Sequence, residues 1–371
     1  MKRHGGIRAL VATIALAAAV SSPQAQQGPP SQPDRTIDAR ERAEVIEGAL
    51  KHLDAAYIFA DVAKKMRDAV SARASEKEYD GIVSAKALAD KLTAHLQEVS
   101  KDKHLRVGYS HEPLPQRPND PTPEERARFL DNARRGNYGF NKIERLAGNV
   151  GYLELFGFSG FPEAGGTAVA AMNFLANADA LIIDLRQNGG GSPAMIGIIT
   201  SYLFEDRVHL NDFYYRERDE MQQFWTWPYV EGRRFGKTKP VYVLTSGRTF
   251  SAAEEFTYNL KNLKRATIVG ETTGGGAHPG GPRRINDHFS VWVPSGRAIN
   301  PITKTNWEGT GVDPDVKVDA KQALKTAHLD ALKNLREGET DKRRLEQFDR
   351  AIADVQKELD ALKEPAKTSQ P

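Results

Sequence analysis

The 371-residue sequence contains no cysteine. This excludes disulfides, a lipid-modified N-terminal cysteine and any thiol nucleophile, so covalent catalysis would have to use oxygen or nitrogen. It also removes the CxxC spacing of structural zinc sites. The HExxH spacing of zincins and the GxxxxGK[ST] phosphate loop are missing as well, so no metal or phosphate-bearing cofactor is expected. Charge of one sign is not in excess. The 52 Lys and Arg against 49 Asp and Glu leave a formal net charge of +3, which gives no reason to expect nucleic acid or a membrane surface as partner. After the first residues no apolar run approaches the ~20 residues needed to span a bilayer. No stable membrane insertion is therefore expected once the N-terminus is cleaved.

That N-terminus is informative. Lys2, Arg3 and Arg8 precede an alanine-rich apolar run from Ala9 to Val20, and small or polar residues follow through Ser22 and Ala25. The pattern is that of a secretory signal over residues 1–25, which implies a periplasmic or secreted protein. Residues 26–36, rich in Gln, Pro and Ser, read as a linker.

Residues 37–112 read as a helical domain. Val45, Ile46, Leu50, Leu53 and Tyr57 recur at threes and fours. Val62, Met66 and Val70 continue in a second helix, and Ser84 caps a third that carries Leu88, Leu92 and Leu96. Their apolar stripe must pack on something. Asp102 to Tyr109 breaks the pattern as a loop leading into a strand. Residues 113–136 form a proline-rich, charged connecting arm, with no room before the next strand for an inserted peptide-binding module.

Residues 137–319 read as an α/β core. Strand-like runs at Val150–Phe156, Ala180–Leu185, Pro240–Leu244 and Thr267–Gly270 alternate with helical stretches, which argues for right-handed crossovers and a largely parallel sheet. The antiparallel segment Phe289–Pro294 is expected to end that sheet. Residues 320–371 turn helical and charged. They read as a hairpin packed on the core, with assembly into a homo-oligomer as the alternative use.

Ligand sites in open α/β sheets form where strands give way to helices. Two such junctions stand out. Asp184-Leu185-Arg186-Gln187-Asn188-Gly189-Gly190-Gly191 ends a buried strand in three glycines, whose amides could form an oxyanion hole or simply a tight turn. Thr249-Phe250-Ser251-Ala252-Ala253-Glu254 places Ser251 at the start of a helix. A serine there is often only a cap. A nucleophile would gain from the same place, because the next amide, that of Ala252, points at developing charge. A serine nucleophile needs a base. His104 and His278 both lie in non-helical segments, and spacing does not choose between them. Glu271 or Glu308 could orient the ring.

Together with Gly270-Glu271-Thr272-Thr273-Gly274-Gly275 and Asn306-Trp307-Glu308-Gly309-Thr310-Gly311-Val312-Asp313-Pro314, these motifs resemble the C-terminal processing (tail-specific) serine peptidases. In the branch with an inserted PDZ module a lysine serves as base, and its position here is Gly276. The sequence is therefore similar to the other branch, that of the tricorn protease core and the bacterial relatives of interphotoreceptor retinoid-binding protein. That resemblance implies a crotonase-like α/β core, a peptide or protein substrate and no cofactor. It carries the nucleophile onto Ser251, the base onto His104, the orienting carboxylate onto Glu308 and the oxyanion donors onto Gly190, or an adjacent glycine, and Ala252. A serine precedes the histidine in tricorn-type sites, whereas this chain has Lys103. The vertebrate relatives imply a second reading, a non-catalytic carrier of apolar ligands.

Overall fold

A computed structural model describes residues 32–116 and 122–363. The expected signal at 1–25 and most of the linker lie outside the described residues. From Asp34 onward the described chain forms one unit.

Three helices come first: α1 (Ala39–Ala56), α2 (Ala60–Ser75) and α3 (Ala85–Ser100). Ser84 caps α3 as expected, its hydroxyl accepting the Ala87 N–H at 3.0 Å. Lys101 ends α3 in the left-handed region at φ 59°. The chain thereby turns into Asp102 and His104 and then into strand β1 (Arg106–Tyr109). The expected arm is not all coil. It contains α4 (Pro123–Arg135), started by a capping box between Thr122 and Glu125.

The core is built from β2 (Phe140–Leu146), β3 (Val150–Leu155), α5 (Phe161–Leu175), β4 (Ala180–Asp184), α6 (Pro193–Ser201), β5 (His209–Tyr215), β6 (Glu220–Trp225), β7 (Val241–Thr245), α7 (Ala252–Asn262), β8 (Thr267–Gly270), β9 (Gly280–Arg284), β10 (Phe289–Pro294), β11 (Gly296–Ile299) and β12 (Val316–Lys317). The main sheet runs β12-β8-β7-β4-β3-β2. It is parallel except for the hairpin partner β2. The expected parallel α/β core is thus present. One detail differs: β10 does not end this sheet. It forms a separate antiparallel sheet with β1 and β9, because Val107 and Val291 pair across it to give the N-terminal helices an apolar face to cover. The hairpin β5–β6 joins β11 in a third sheet.

Strand side chains alternate between two faces. Leu181 and Ile183 face α5, α6 and α7. Ala180 and Ile182 face α8 (Ala320–Glu337), which lays Ala323, Ala327 and Ala331 flat against the sheet. Small side chains at that spacing let the helix approach closely, so α8 is a structural layer of the core. The last helix, α9 (Lys342–Lys363), packs on α8 through Phe348, Val355 and Leu359.

Candidate active site

Both singled-out junctions lie at the C-terminal ends of neighbouring parallel strands, β4 and β7. Pairing of those strands brings the two loops side by side. Asn188, fully buried, ties them together. Its side-chain amide donates to the Leu155 carbonyl, and its backbone carbonyl accepts the Phe250 N–H at 3.0 Å.

Ser251 opens α7 with φ 55° and ψ −121°. That conformation is costly for a residue with a side chain and persists only where the surroundings impose it. Glu254 is one of those surroundings. Its buried carboxylate accepts the N–H of Ser251 (2.8 Å), the Thr273 hydroxyl (2.6 Å) and the N–H groups of Gly275 (2.6 Å) and Gly276 (2.8 Å). Burial pushes the Glu254 carboxyl above its ordinary range, against the pull of these four donors. One side chain therefore fixes both the turn at Ser251 and the following glycine-rich loop.

Gly190 meets Ser251 directly, as the sequence suggested. A Cβ there would lie 2.8 Å from the Ser251 Cβ. Its amide, however, is already committed: the Gly190 N–H donates to Asn188 Oδ1 at 2.9 Å. An Asn two residues earlier thus captures the Gly190 amide in an Asx turn, which leaves the alternative that the resemblance allows, an adjacent glycine together with Ala252. Among the described residues the N–H groups of Gly191 and Ala252 have no partner within the chain.

His104 is 7% exposed, and its ring packs 4.7 Å from the ring of Phe250, the neighbour of Ser251. Gly276 lies against both: a Cβ there would stand 2.3 Å from Phe250 Cζ and 2.7 Å from His104 Cε1. The space a lysine would need is thus filled by the rings of Phe250 and His104. One ring nitrogen of His104 and one carboxylate oxygen from each of Asp102 and Glu308 fall within 4.8 Å of one another. His104 Nδ1 and Glu308 Oε1 are both buried and without a partner. Burial lowers the His104 ring to a pKa of about 4, with Asp102 opposing. Burial and then the charge of Asp102 raise Glu308 to about 7. The imidazole is therefore neutral, the form a base requires.

The remaining candidates have other partners. Glu271 accepts from the Gly247 and Ala320 amides and holds the start of α8. Lys103 donates to the Gly274 carbonyl. His278 joins Asp102, which sequence reasoning passed over. Asp102 is 1% exposed, and its position two residues before His104 was the available signal.

The model for peptidase family S41 matches residues 149–318, and that for the N-terminal domain of peptidase S41 in eukaryotic IRBP matches residues 38–133. The chain carries peptidase family S41 domains. Within the family, carboxyl-terminal-processing peptidase 1, chloroplastic, of Arabidopsis thaliana is 30% identical over 183 residues, 49% of this chain and 36% of that protein. Tricorn protease of Thermoplasma volcanium is 26% identical over 198 residues, 50% of this chain and 17% of that protein. The chain thus spans only about a third or less of the length of these curated relatives. A solved structure from Parabacteroides merdae shares the fold, with 24% identity and a TM-score of 0.54 over 75% of this chain and 90% of that one.

Proposed function

We propose that this family member is a serine-type peptidase that hydrolyses peptides or unfolded protein tails in the cell envelope. Ser251 is the nucleophile, His104 the base and Glu308 the carboxylate that holds the base. The observation that carries the reading is the strained turn at Ser251, clamped by Glu254 and pressed against Gly190, with buried His104 beside Phe250.

His104 takes the Ser251 hydroxyl proton as the oxygen attacks the peptide carbonyl carbon. Glu308 stabilises the imidazolium that results. The N–H of Ala252 and that of Gly191, free where the Gly190 amide is not, hold the oxyanion. Collapse breaks the C–N bond, and His104 returns the proton to the leaving amine. Water, deprotonated by His104, then cleaves the acyl ester and restores Ser251. The signal over residues 1–25 would deliver the enzyme to the periplasm or the exterior. No helix among the described residues is long and apolar enough to cross a membrane.

A carrier of apolar ligands would want an apolar cavity at this place. Instead, the imidazoles of His104 and His278 and the carboxyl groups of Asp102 and Glu308 converge here. The test is labelling by a fluorophosphonate. Wild type should label on Ser251, Ser251→Ala should not label, and His104→Ala should react slower by about a thousandfold or more. Folded wild-type protein that never labels would reject the reading.

A further inference from the structure

The proposed mechanism leaves His278 unused, although it shares a buried cluster with the base. It lies on the loop before β9 and is 5% exposed. Its Nδ1–H donates to Asp102 Oδ2 at 2.8 Å and stands 3.5 Å from Glu308 Oε2. Asp102 in turn accepts the backbone N–H of His104 at Oδ1 (3.0 Å) and the Tyr57 hydroxyl at Oδ2 (3.3 Å). Glu308 Oε2 accepts the Ala277 N–H, from the residue just before His278. Asp102 therefore fixes the backbone of the base, and the ring fixed on Asp102 stands beside the carboxylate that must hold that base.

Glu308 is faced by Asp102 and His104 from the turn before β1, by His278 from the loop before β9, by Glu254 from α7 and by Tyr57 from the end of α1. All of these that carry negative charge repel it. Two buried carboxylates this close would not both stay ionised without a donor between them. We propose that His278 is a positioning residue for catalysis: tied to Asp102, it sets its Nδ1–H between the two carboxylates and so keeps Glu308 ionised and turned toward His104. The electrostatics run the same way, since His278 opposes the upward push on Glu308 from burial and from Asp102.

This inference rests on the reading of Ser251 as nucleophile. The experiment measures fluorophosphonate labelling and hydrolysis of fluorogenic casein from pH 5 to 9 for wild type, His278→Gln and Asp102→Asn. His278→Gln should leave KM nearly unchanged and lower kcat at pH 7. It should also move the acid limb of the rate profile upward by about one unit, so that activity recovers as pH rises. Asp102→Asn removes a repelling charge but sets an amide N–H against the His278 Nδ1–H, so the two effects oppose each other and its acid limb should move less than that of His278→Gln. Should His278→Gln fail to fold, His278→Phe, which keeps a ring but no donor, is read in its place, with the same upward shift of the acid limb expected. Unmoved limbs, or a loss equal at every pH, overturn the inference while leaving the peptidase intact. A wild type that neither labels nor hydrolyses overturns the peptidase reading and this inference with it.

Discussion

Gly190 and Ser251 touch so closely that only a hydrogen fits between their α carbons' substituents. A Cβ on Gly190 would lie 2.8 Å from the Ser251 Cβ and 3.0 Å from both the Ala252 nitrogen and the Phe250 carbonyl, and Gly190 has φ 110° besides. Gly190→Ala should therefore cost about 1–3 kcal/mol of stability. It should also displace Ser251 enough to lower kcat/KM by about a hundredfold. Urea unfolding and peptide hydrolysis read the two effects separately. Wild-type activity in this variant would show that the contact is dispensable.

Ser251 itself stores strain. Alanine at this position keeps a Cβ at φ 55°, whereas glycine does not. Ser251→Gly should thus be more stable than Ser251→Ala by about 1 kcal/mol, and on the proposed mechanism neither should hydrolyse peptide. Side-by-side urea midpoints check this, and equal midpoints would mean that the turn is relaxed.

Stability should fall with rising pH because of a buried acid behind the nucleophile. Burial raises Glu255 to about 8, with only Asn211 opposing. An unfolded glutamate loses its proton near about 4.3. Between these two values the folded state binds the extra proton, so stability drops as pH climbs and levels off above about 8. Glu308, raised to about 7, adds to the drop below that pH. His104, lowered to about 4, acts oppositely, gaining stability from there up to its unfolded value of about 6.5. The contributions oppose one another in mild acid, and the drop is uncovered above about pH 6.5. Glu255→Gln should gain on wild type by about 2 kcal/mol between about pH 6.5 and 8. Parallel denaturation curves across that range would contradict this.

The C-terminal helices should differ in what their removal does. Ending the chain before Ala320 bares the sheet face covered by Ala323, Ala327 and Ala331, and the product should not fold. Ending it at Gly338 removes only α9, whose contacts are with α8, the turn before β3 and scattered surface charges. That product should fold with reduced stability. Circular dichroism and solution mass distinguish the two, and any role of these helices in assembly can be tested only with the shorter cut.

Much of the fold was legible in the sequence. Buried apolar runs and helical patterns located β4, β7, β8 and α5 to within a few residues, because buried parallel strands and amphipathic helices leave strong signals. The Ser84 cap was readable for the same local reason. The β5–β6 hairpin was not read, since residues such as Glu220, Gln222 and Gln223 are exposed and leave no apolar alternation. The separate sheet of β1, β9 and β10 was missed because β1 and β10 pair across about half the chain, and no local pattern encodes such a partner. Ser251, His104 and Glu308 could be named from motifs. The capture of the Gly190 amide by Asn188, and the link from His278 to Asp102, could not, because both depend on where side chains point once the loops are packed.

The pairing of β1 with β10 also bears on timing. His104, the proposed base, precedes Ser251 in the chain, yet the turn that holds it is anchored to a strand made after Ser251, and Glu308 is made later still. A chain still being made carries Ser251 before it has Glu308 or the strand that anchors the turn of His104. On the proposed reading, cleavage competence arrives only when synthesis and folding are nearly finished.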